Sequence, residues 1–210
     1  MITIFWRVKM QFPPLDKYKG LIFDLDGTLI DSMPYHISAW QEMGKRHGFN
    51  VDPKLIYSMG GVSSRDVVLK FRELGFDVGD IDTFIRDKIA IYRKNINKVK
   101  TFKSIEAILR QAKKDGKKIA AGSGTQRINA ETVLRHTGLL ELMDAVITAE
   151  DVVNHKPSPD TFLKAAQAIE LDRSECVVFE DGQLGIKAAH NGGFDCIEVA
   201  DGVFKNYYSA

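Results

Sequence analysis

The chain has 210 residues, room for one large α/β domain or a domain carrying an insertion. Its 29 basic and 28 acidic residues nearly cancel, so charge gives no footing for a nucleic-acid or membrane-surface partner, and no apolar run approaches the roughly 20 residues of a membrane span. The two cysteines, Cys176 and Cys196, both lie inside apolar runs and read as buried reduced thiols, more than as a disulfide, which suits a reducing cytosol.

The first ten residues, Met1 to Met10, have too short an apolar core for a secretory signal, whose apolar region needs roughly 7–15 residues, and they read as an extension or edge element. Leu21–Phe23 then forms an apolar run of strand character that ends in Asp24 and Asp26, followed by Gly27 and Thr28. A carboxylate at a strand end can act as a nucleophile and a second can carry protons. Gly27 lets the chain turn sharply while its backbone approaches a ligand. Taken alone, the segment reads equally well as an Asp-Gly hairpin turn.

Residues 32 to about 98 carry helical patterns and no convincing strand. Pro34 suits the first turn of a helix behind Ser32 or Met33, with Ile37, Trp40 and Met43 on one face. Pro53 opens a second helix after Asp52, and Ser63 or Ser64 caps a third, with Val67, Phe71 and Leu74 at i, i+4, i+7. A fourth helix carries Ile85, Ile89, Tyr92 and Ile96 at i, i+4, i+7, i+11. The spacing predicts a small helical bundle inserted after the first strand, placed to act as a lid beside Asp24 and Asp26.

Beyond residue 98 the strand candidates are Lys118–Ala121, Ala145–Thr148, Cys176–Phe179 and Cys196–Val199. Helical stretches precede or separate them: one through Ile105, Ile108, Leu109 and Ala112, one through Ile128, Val133 and Leu134, one from about Pro159 to Ile169, and one from about Leu184 to Asn191. Uniformly apolar strands alternating with helices indicate a parallel sheet covered on both faces. The expected division is a core of 1–31 and 99–210 with a helical domain of 32–98.

Ligands of open α/β sheets bind beyond the carboxyl ends of the strands. There the sequence places Asp24, Asp26, Gly27 and Thr28; Gly122-Ser123-Gly124-Thr125; Lys156 between His155 and Pro157; and Glu180-Asp181-Gly182. Each group is ordinary by itself, a turn, a solvated lysine or a capping loop. Together they supply carboxylates, hydroxyls and one lysine, a set suited to a phosphate held with a hard divalent cation.

These residues resemble the four motifs of the haloacid dehalogenase superfamily of phosphotransferases over about residues 20–200: Asp24-Leu-Asp26-Gly-Thr28, Ser123, Lys156 in Lys-Pro-Ser-Pro-Asp, and Glu180-Asp181. The helical insert is similar to that superfamily's small C1 cap on a Rossmann-like core. Asp31-Ser-Met-Pro-Tyr-His36-Ile-Ser-Ala-Trp40 and Gly61-Val-Ser-Ser-Arg65 look like the β-phosphoglucomutase branch, and His155-Lys-Pro-Ser-Pro-Asp-Thr-Phe162 and Cys176-Val-Val-Phe-Glu-Asp181 resemble its fructose-1-phosphatase-like members.

The resemblance implies that Asp24 attacks phosphorus to give an aspartyl-phosphate, and that Asp26 protonates the departing oxygen and then deprotonates water. It implies Mg²⁺ held by Asp24, the Asp26 backbone carbonyl and Asp181, with Glu180 a weaker candidate. Two unit anions 4 Å apart repel by roughly 4 kcal/mol at an effective dielectric of 20, which the metal and Lys156 would offset. Ser123, Gly27, Thr28, Gly124 and Thr125 would bind and orient the phosphoryl oxygens, and His36, Gly61 and Arg65 would reach the substrate from the cap. His36, one turn before Trp40, also reads as a packed helix residue. Arg65 at a helix start opposes the helix dipole, which favours a functional reason for it.

The expected activity is therefore a cytoplasmic, monomeric, Mg²⁺-dependent phosphatase of small sugar phosphates. A β-phosphoglucomutase is the alternative, but Asp26-Gly-Thr-Leu is the commoner hydrolase form, and the Gly61-to-Arg65 spacing is one residue longer than a mutase calls for. A catalytically silent binding protein would have lost Asp24 or Lys156, and both are present.

Overall fold

A computed structural model describes residues 13–210, so the N-terminal extension read at Met1 to Met10 lies outside the described residues. The chain runs through β1 (Gly20–Phe23), β2 (Ile30–Asp31), helices α1 (Met33–Arg46), α2 (Pro53–Ser58), α3 (Ser64–Glu73) and α4 (Ile81–Arg93), then β3 (Lys100–Thr101) and α5 (Lys103–Lys114). It continues through β4 (Lys118–Gly122), α6 (Arg127–His136), β5 (Ala145–Ile147), α7 (Asp160–Ala168), β6 (Cys176–Glu180), α8 (Gln183–Asn191), β7 (Asp195–Ala200) and β8 (Val203–Tyr208).

The main sheet has the order β5-β4-β1-β6-β7-β8, parallel except for β8. Alternation along β1 sends Leu21 and Phe23 to one face and Ile22 to the other. The first face packs with Ile105, Leu109, Val133 and Leu134 of α5 and α6, the second with Phe162, Ala165, Ile186 and Ala189 of α7 and α8. Burial on both faces explains why these strands are apolar throughout.

Register fixes the site. Phe23 pairs with Ala121 on one side and Phe179 on the other. The three strands therefore end level, and Asp24 emerges between the Gly122-Ser123 turn and Glu180-Asp181. The Asp24 N–H donates to the Phe179 carbonyl (2.9 Å), which continues the ladder one residue into the motif.

The sequence reading missed β8. It is an edge strand joined to β7 by Asp201-Gly202, with φ of 50° and 73°, the signature of a two-residue type I′ turn. Its Lys205 and Asn206 face solvent, so it lacks the apolar run that marks the inner strands.

Between β2 and β3 the helices enclose an apolar cluster of their own, centred on Trp40, Met43, Val68, Phe71 and Phe84. Asp52, Ser63 and Asp80 cap α2, α3 and α4 through side-chain acceptors. The chain leaves and re-enters the core through the antiparallel pair β2–β3, with Ile30 opposite Thr101 and Asp31 opposite Lys100.

Three apolar assignments need correction. Helix α4 turns Phe84, Lys88 and Tyr92 inward, while Ile85 and Ile89 are only partly buried. The two rows differ by one residue, about 100° around a helix, and both look apolar except for the lysine. Leu74 is 49% exposed, because it is the C-cap of α3 rather than a member of its inner row. Ile128 is 51% exposed at the start of α6, where it faces outward. No helix of the described residues is long and apolar enough to cross a membrane.

Candidate active site

Lys156 forms the centre of the site. Its side chain is 1% exposed, and Nζ donates to Asp24 Oδ1 and to Glu180 Oε1, each at 2.6 Å. Burial alone would lower a lysine pKa, but the two carboxylates outweigh it and raise Lys156. Glu180 is occupied at both oxygens, since Oε2 accepts from the Asp181 and Gly182 N–H groups at 2.7 Å each.

Asp24 is buried, and that burial pushes its pKa well above the ordinary range; Lys156 opposes the rise, while Glu180, Asp181 and Asp26 add to it. Burial, reinforced by Glu180, pushes Asp181 up to about 7. Thr28, expected to touch phosphate, donates instead to Asp181 Oδ1 at 2.7 Å. Gly27 makes that packing possible: at φ 94°, a Cβ there would lie 2.3 Å from Asp181 Oδ2.

Asp26 faces the helical insert. Its Oδ1 accepts from Ser32 Oγ at 2.5 Å and lies 3.1 Å from His36 Nε2, while Oδ2 accepts from Thr125 Oγ1 at 2.6 Å and Ser123 Oγ at 3.5 Å. Burial opposes ionisation here, but His36 and the hydrogen bonds from His36, Ser32 and Thr125 together hold Asp26 below the usual carboxylate range. Ser32 occupies the N-cap position of α1 yet makes no capping bond, because its hydroxyl is turned to Asp26. Ser123 Oγ also accepts the Thr125 N–H (3.0 Å), which shapes the turn beyond β4.

Behind His36 stands Lys88, whose Nζ is 2.8 Å from His36 Nδ1. The partners assign the tautomer: Lys88 donates to Nδ1, and Nε2–H points at Asp26. Burial, helped by Lys88, lowers the His36 pKa, and burial lowers Lys88 to about 8. Lys88 lies 4.5 Å from the Trp40 ring centre, and His36 stacks on Tyr92 at 4.0 Å. Sequence reasoning missed Lys88; a lysine one position away from an isoleucine row was the only signal.

The insert closes on the core through backbone. A Cβ on Gly124 would meet the Gly61 carbonyl oxygen at 2.5 Å, one on Gly182 the Gly60 oxygen at 3.0 Å, and one on Gly61 the Lys156 Cδ at 3.0 Å. The open pocket beside Asp24 and Asp26 holds about 60 Å³. Gly61, Gly124, Thr125 and His36 line it with Ser123. Arg65 does not reach it: its guanidinium pairs with Asp82 at 2.7 Å on the outer side of the insert.

Among the described residues, Asp24, Glu180 and Asp181 form a group whose ligand oxygens lie within 4.8 Å of one another. An all-oxygen donor set with raised carboxylate pKa values fits a hard divalent cation such as Mg²⁺. Asp24 and Asp181 are the side chains to hold it, because Lys156 and two backbone donors already engage Glu180. The Asp26 side chain, expected from the sequence near the metal, is not part of this group, because Ser32, His36 and Thr125 engage its oxygens.

A parallel sheet carrying two carboxylates beyond its central strand and a buried lysine across from them defines a class of phosphoryl-group enzymes. The chain belongs to the haloacid dehalogenase-like hydrolases, whose family model matches residues 21–199. The fructose-1-phosphate phosphatase YqaB of Escherichia coli is 34% identical over 185 residues, 88% of this chain and 97% of that protein. The β-phosphoglucomutase of Bacillus subtilis is 27% identical over 192 residues, 88% of this chain and 84% of that protein. A crystal structure of β-phosphoglucomutase from Clostridium difficile superposes with a TM-score of 0.80 at 28% identity, covering 87% of this chain and 85% of that one.

Proposed function

We propose that this protein is a Mg²⁺-dependent phosphatase of small sugar phosphates that works through an aspartyl-phosphate on Asp24. The observation that carries this reading is the pair of carboxylates on opposite sides of one turn, Asp24 held by Lys156 and Asp26 held by Ser32, His36 and Thr125.

In the first half-reaction an Asp24 oxygen forms the new bond to phosphorus as the ester P–O bond breaks, and Asp26 gives its proton to the departing sugar oxygen. Asp26 is ionised in the free site, and the negative charge of an arriving phosphate raises its pKa, which favours loading that proton. In the second half-reaction Asp26 takes a proton from water, the water oxygen bonds to phosphorus, and Asp24 leaves as a carboxylate with release of inorganic phosphate. Lys156 and the Ser123–Thr125 turn hold the phosphoryl oxygens. Bound Mg²⁺ on Asp24 and Asp181 would neutralise charge between the nucleophile and the phosphoryl group. The likeness to the fructose-1-phosphate phosphatase supports a sugar monophosphate, and the balanced charge and two buried free cysteines support a cytoplasmic setting.

A second reading, a β-phosphoglucomutase, draws on the Bacillus subtilis relative and the Clostridium difficile fold. Phosphorus NMR separates the two. A phosphatase releases inorganic phosphate from fructose 1-phosphate in step with substrate loss. Rapid conversion of β-glucose 1-phosphate to glucose 6-phosphate, primed by glucose 1,6-bisphosphate and without phosphate release, would identify the mutase. Asp24→Asn should abolish either reaction and the phosphoenzyme while the fold persists; retention of more than a few per cent of activity would reject Asp24 as nucleophile.

A further inference from the structure

We infer that the groove between the Gly27 turn and the β7–β8 turn is the route by which Mg²⁺ reaches Asp181, and that Asp31 and Asp201 steer the ion along it. This rests on the metal-dependent reading above and goes beyond it in giving the ion an approach separate from that of the phosphate ester. Of the two side chains suited to hold the ion, Asp24 lines the pocket beside Asp26, whereas Asp181 lines a different opening together with Gly27, Asp31 and Asp201. Met33 lines both, so it forms part of the wall between them. The groove at Asp181 holds about 400 Å³, against about 60 Å³ for the pocket at Asp24. Mg²⁺ gives up its waters reluctantly, so the wider opening suits its arrival.

The two openings also differ in charge. The pocket sets Lys88, His36 and the hydroxyls of Ser123 and Thr125 beside its two aspartates. The groove is lined by three carboxylates, Asp31, Asp181 and Asp201, and among the described residues by no lysine, arginine or histidine. Asp31 and Asp201 are exposed, and neither side chain has a hydrogen-bond or ion-pair partner among the described residues. Lys100 stands opposite Asp31 across β2–β3, yet it makes no ion pair with it and does not line the groove. Asp181 Oδ1 accepts from Thr28 at 2.7 Å, whereas Oδ2 has no hydrogen-bond partner among the described residues and is not sealed from solvent. Tyr57 and Phe102 supply walls of low polarizability beside these acids. A cleft lined by one sign of charge between such walls focuses the field, concentrates counter-ions and speeds their arrival by roughly 10–10³-fold. The unpaired carboxylates at the rim thus draw a cation inward to the one acid of the groove that belongs to the metal group.

Mn²⁺, a paramagnetic probe for a Mg²⁺ site, tests the route with no substrate present, so the result does not depend on phosphatase activity. Stopped-flow quenching of protein fluorescence gives the association rate, and mixing the loaded protein with excess EDTA gives the release rate. The Asp31→Asn/Asp201→Asn double variant should associate about fivefold more slowly at low ionic strength, with release changed by less than about twofold, and the difference should vanish in high salt. Ala200 also lines the groove, and Ala200→Phe should narrow it. An obstruction raises the barrier without altering either end state, so association and release should both slow by about fivefold or more while Kd stays within about twofold. A double variant with the wild-type association rate at low salt, or a folded Ala200→Phe with both wild-type rates, overturns the inference. Where Ala200→Phe does not fold, the double variant decides alone. A wild-type protein that binds no Mn²⁺ would reject the metal-dependent reading and the route together, whereas binding with unchanged rates in these variants rejects the route alone.

Discussion

Gly185 approaches Glu180 so closely that a Cβ on it would lie 1.7 Å from the carboxylate Oε1. The same oxygen holds Lys156. The first turn of α8 therefore sets the lysine through an intermediate carboxylate. Alanine is the better helix former by about 1 kcal/mol, so local propensity would favour Gly185→Ala. The added methyl must instead displace Glu180 and release one of the two partners of a buried cation. Turnover is expected to fall about a hundredfold, the effect of misplacing a reacting group by about 1 Å, and steady-state kinetics with a melting curve would check it. A variant that keeps more than half its activity would show that Glu180 does not set Lys156.

The metal-free protein should become more stable as pH falls from 7.5 to 6.5. Asp181 has a folded pKa raised to about 7, and Asp24 is raised as well, so in this window the folded state binds more protons than the unfolded chain. Stability then increases with proton uptake. Lys88, lowered by burial to about 8, and His36, lowered by burial, both oppose this trend across the window, but together by less than Asp181 and Asp24 supply. Melting temperatures across this range should slope upward toward lower pH, and either Asp181→Asn or saturating Mg²⁺ should flatten the slope. An unchanged slope in Asp181→Asn would assign the effect elsewhere.

Replacing Lys88 separates stability from activity. Lys88→Met keeps the stem that packs on Trp40 and removes a buried charge, an exchange that is often neutral or stabilising. The melting point should hold or rise. Activity should fall at least tenfold and its pH profile should shift, because His36 loses the donor that fixes its Nε2–H toward Asp26. Unchanged kinetics and pH profile would leave Lys88 a packing residue.

Much of the core was legible because uniformly apolar runs between glycines and helical stripes leave few alternatives to a covered parallel sheet. Lys88 was not legible, since Ile85 and Ile89 offer a competing row; both rows exist because α4 faces the insert's own core on one side and an open groove on the other. Adjacency in sequence likewise does not distinguish Glu180 from Asp181. The difference comes from the end of β6, where Glu180 folds back onto two backbone N–H groups and leaves Asp181 facing Gly27 and Thr28. Arg65 was assigned from its unfavourable place at a helix start, and Asp82, seventeen positions away, is the partner that spacing did not disclose. The edge strand β8 was signalled only by Asp201-Gly202.

Gly124→Ala should hold the insert away from the core. The new methyl would strike the Gly61 carbonyl rather than a flexible side-chain end, so the loop at 60–62 must retreat. At least a tenfold loss in kcat/KM is expected with little change in melting temperature, accompanied by a larger radius of gyration in solution scattering. Wild-type dimensions together with wild-type kinetics would mean that the contact yields without consequence.

The paired strands β2 and β3 bring the two ends of the helical insert together. Asp31 and Lys100 stand opposite each other in an antiparallel pair, and such residues lie only about 4.5–5.5 Å apart. A two-residue turn can bridge that gap, yet Ala39, Tyr92, Ile96 and Val99 of the intervening segment also pack into the core beneath the main sheet, so the insert is anchored by packing as well as by its two strands. Asp24, Lys156 and Asp181 stand on the core, while Ser32, His36 and Lys88 stand on the segment between β2 and β3. The proposed nucleophile and metal ligands thus stand on the core, and the groups that orient Asp26 stand largely on the insert, so the position of one part relative to the other sets how Asp26 is held.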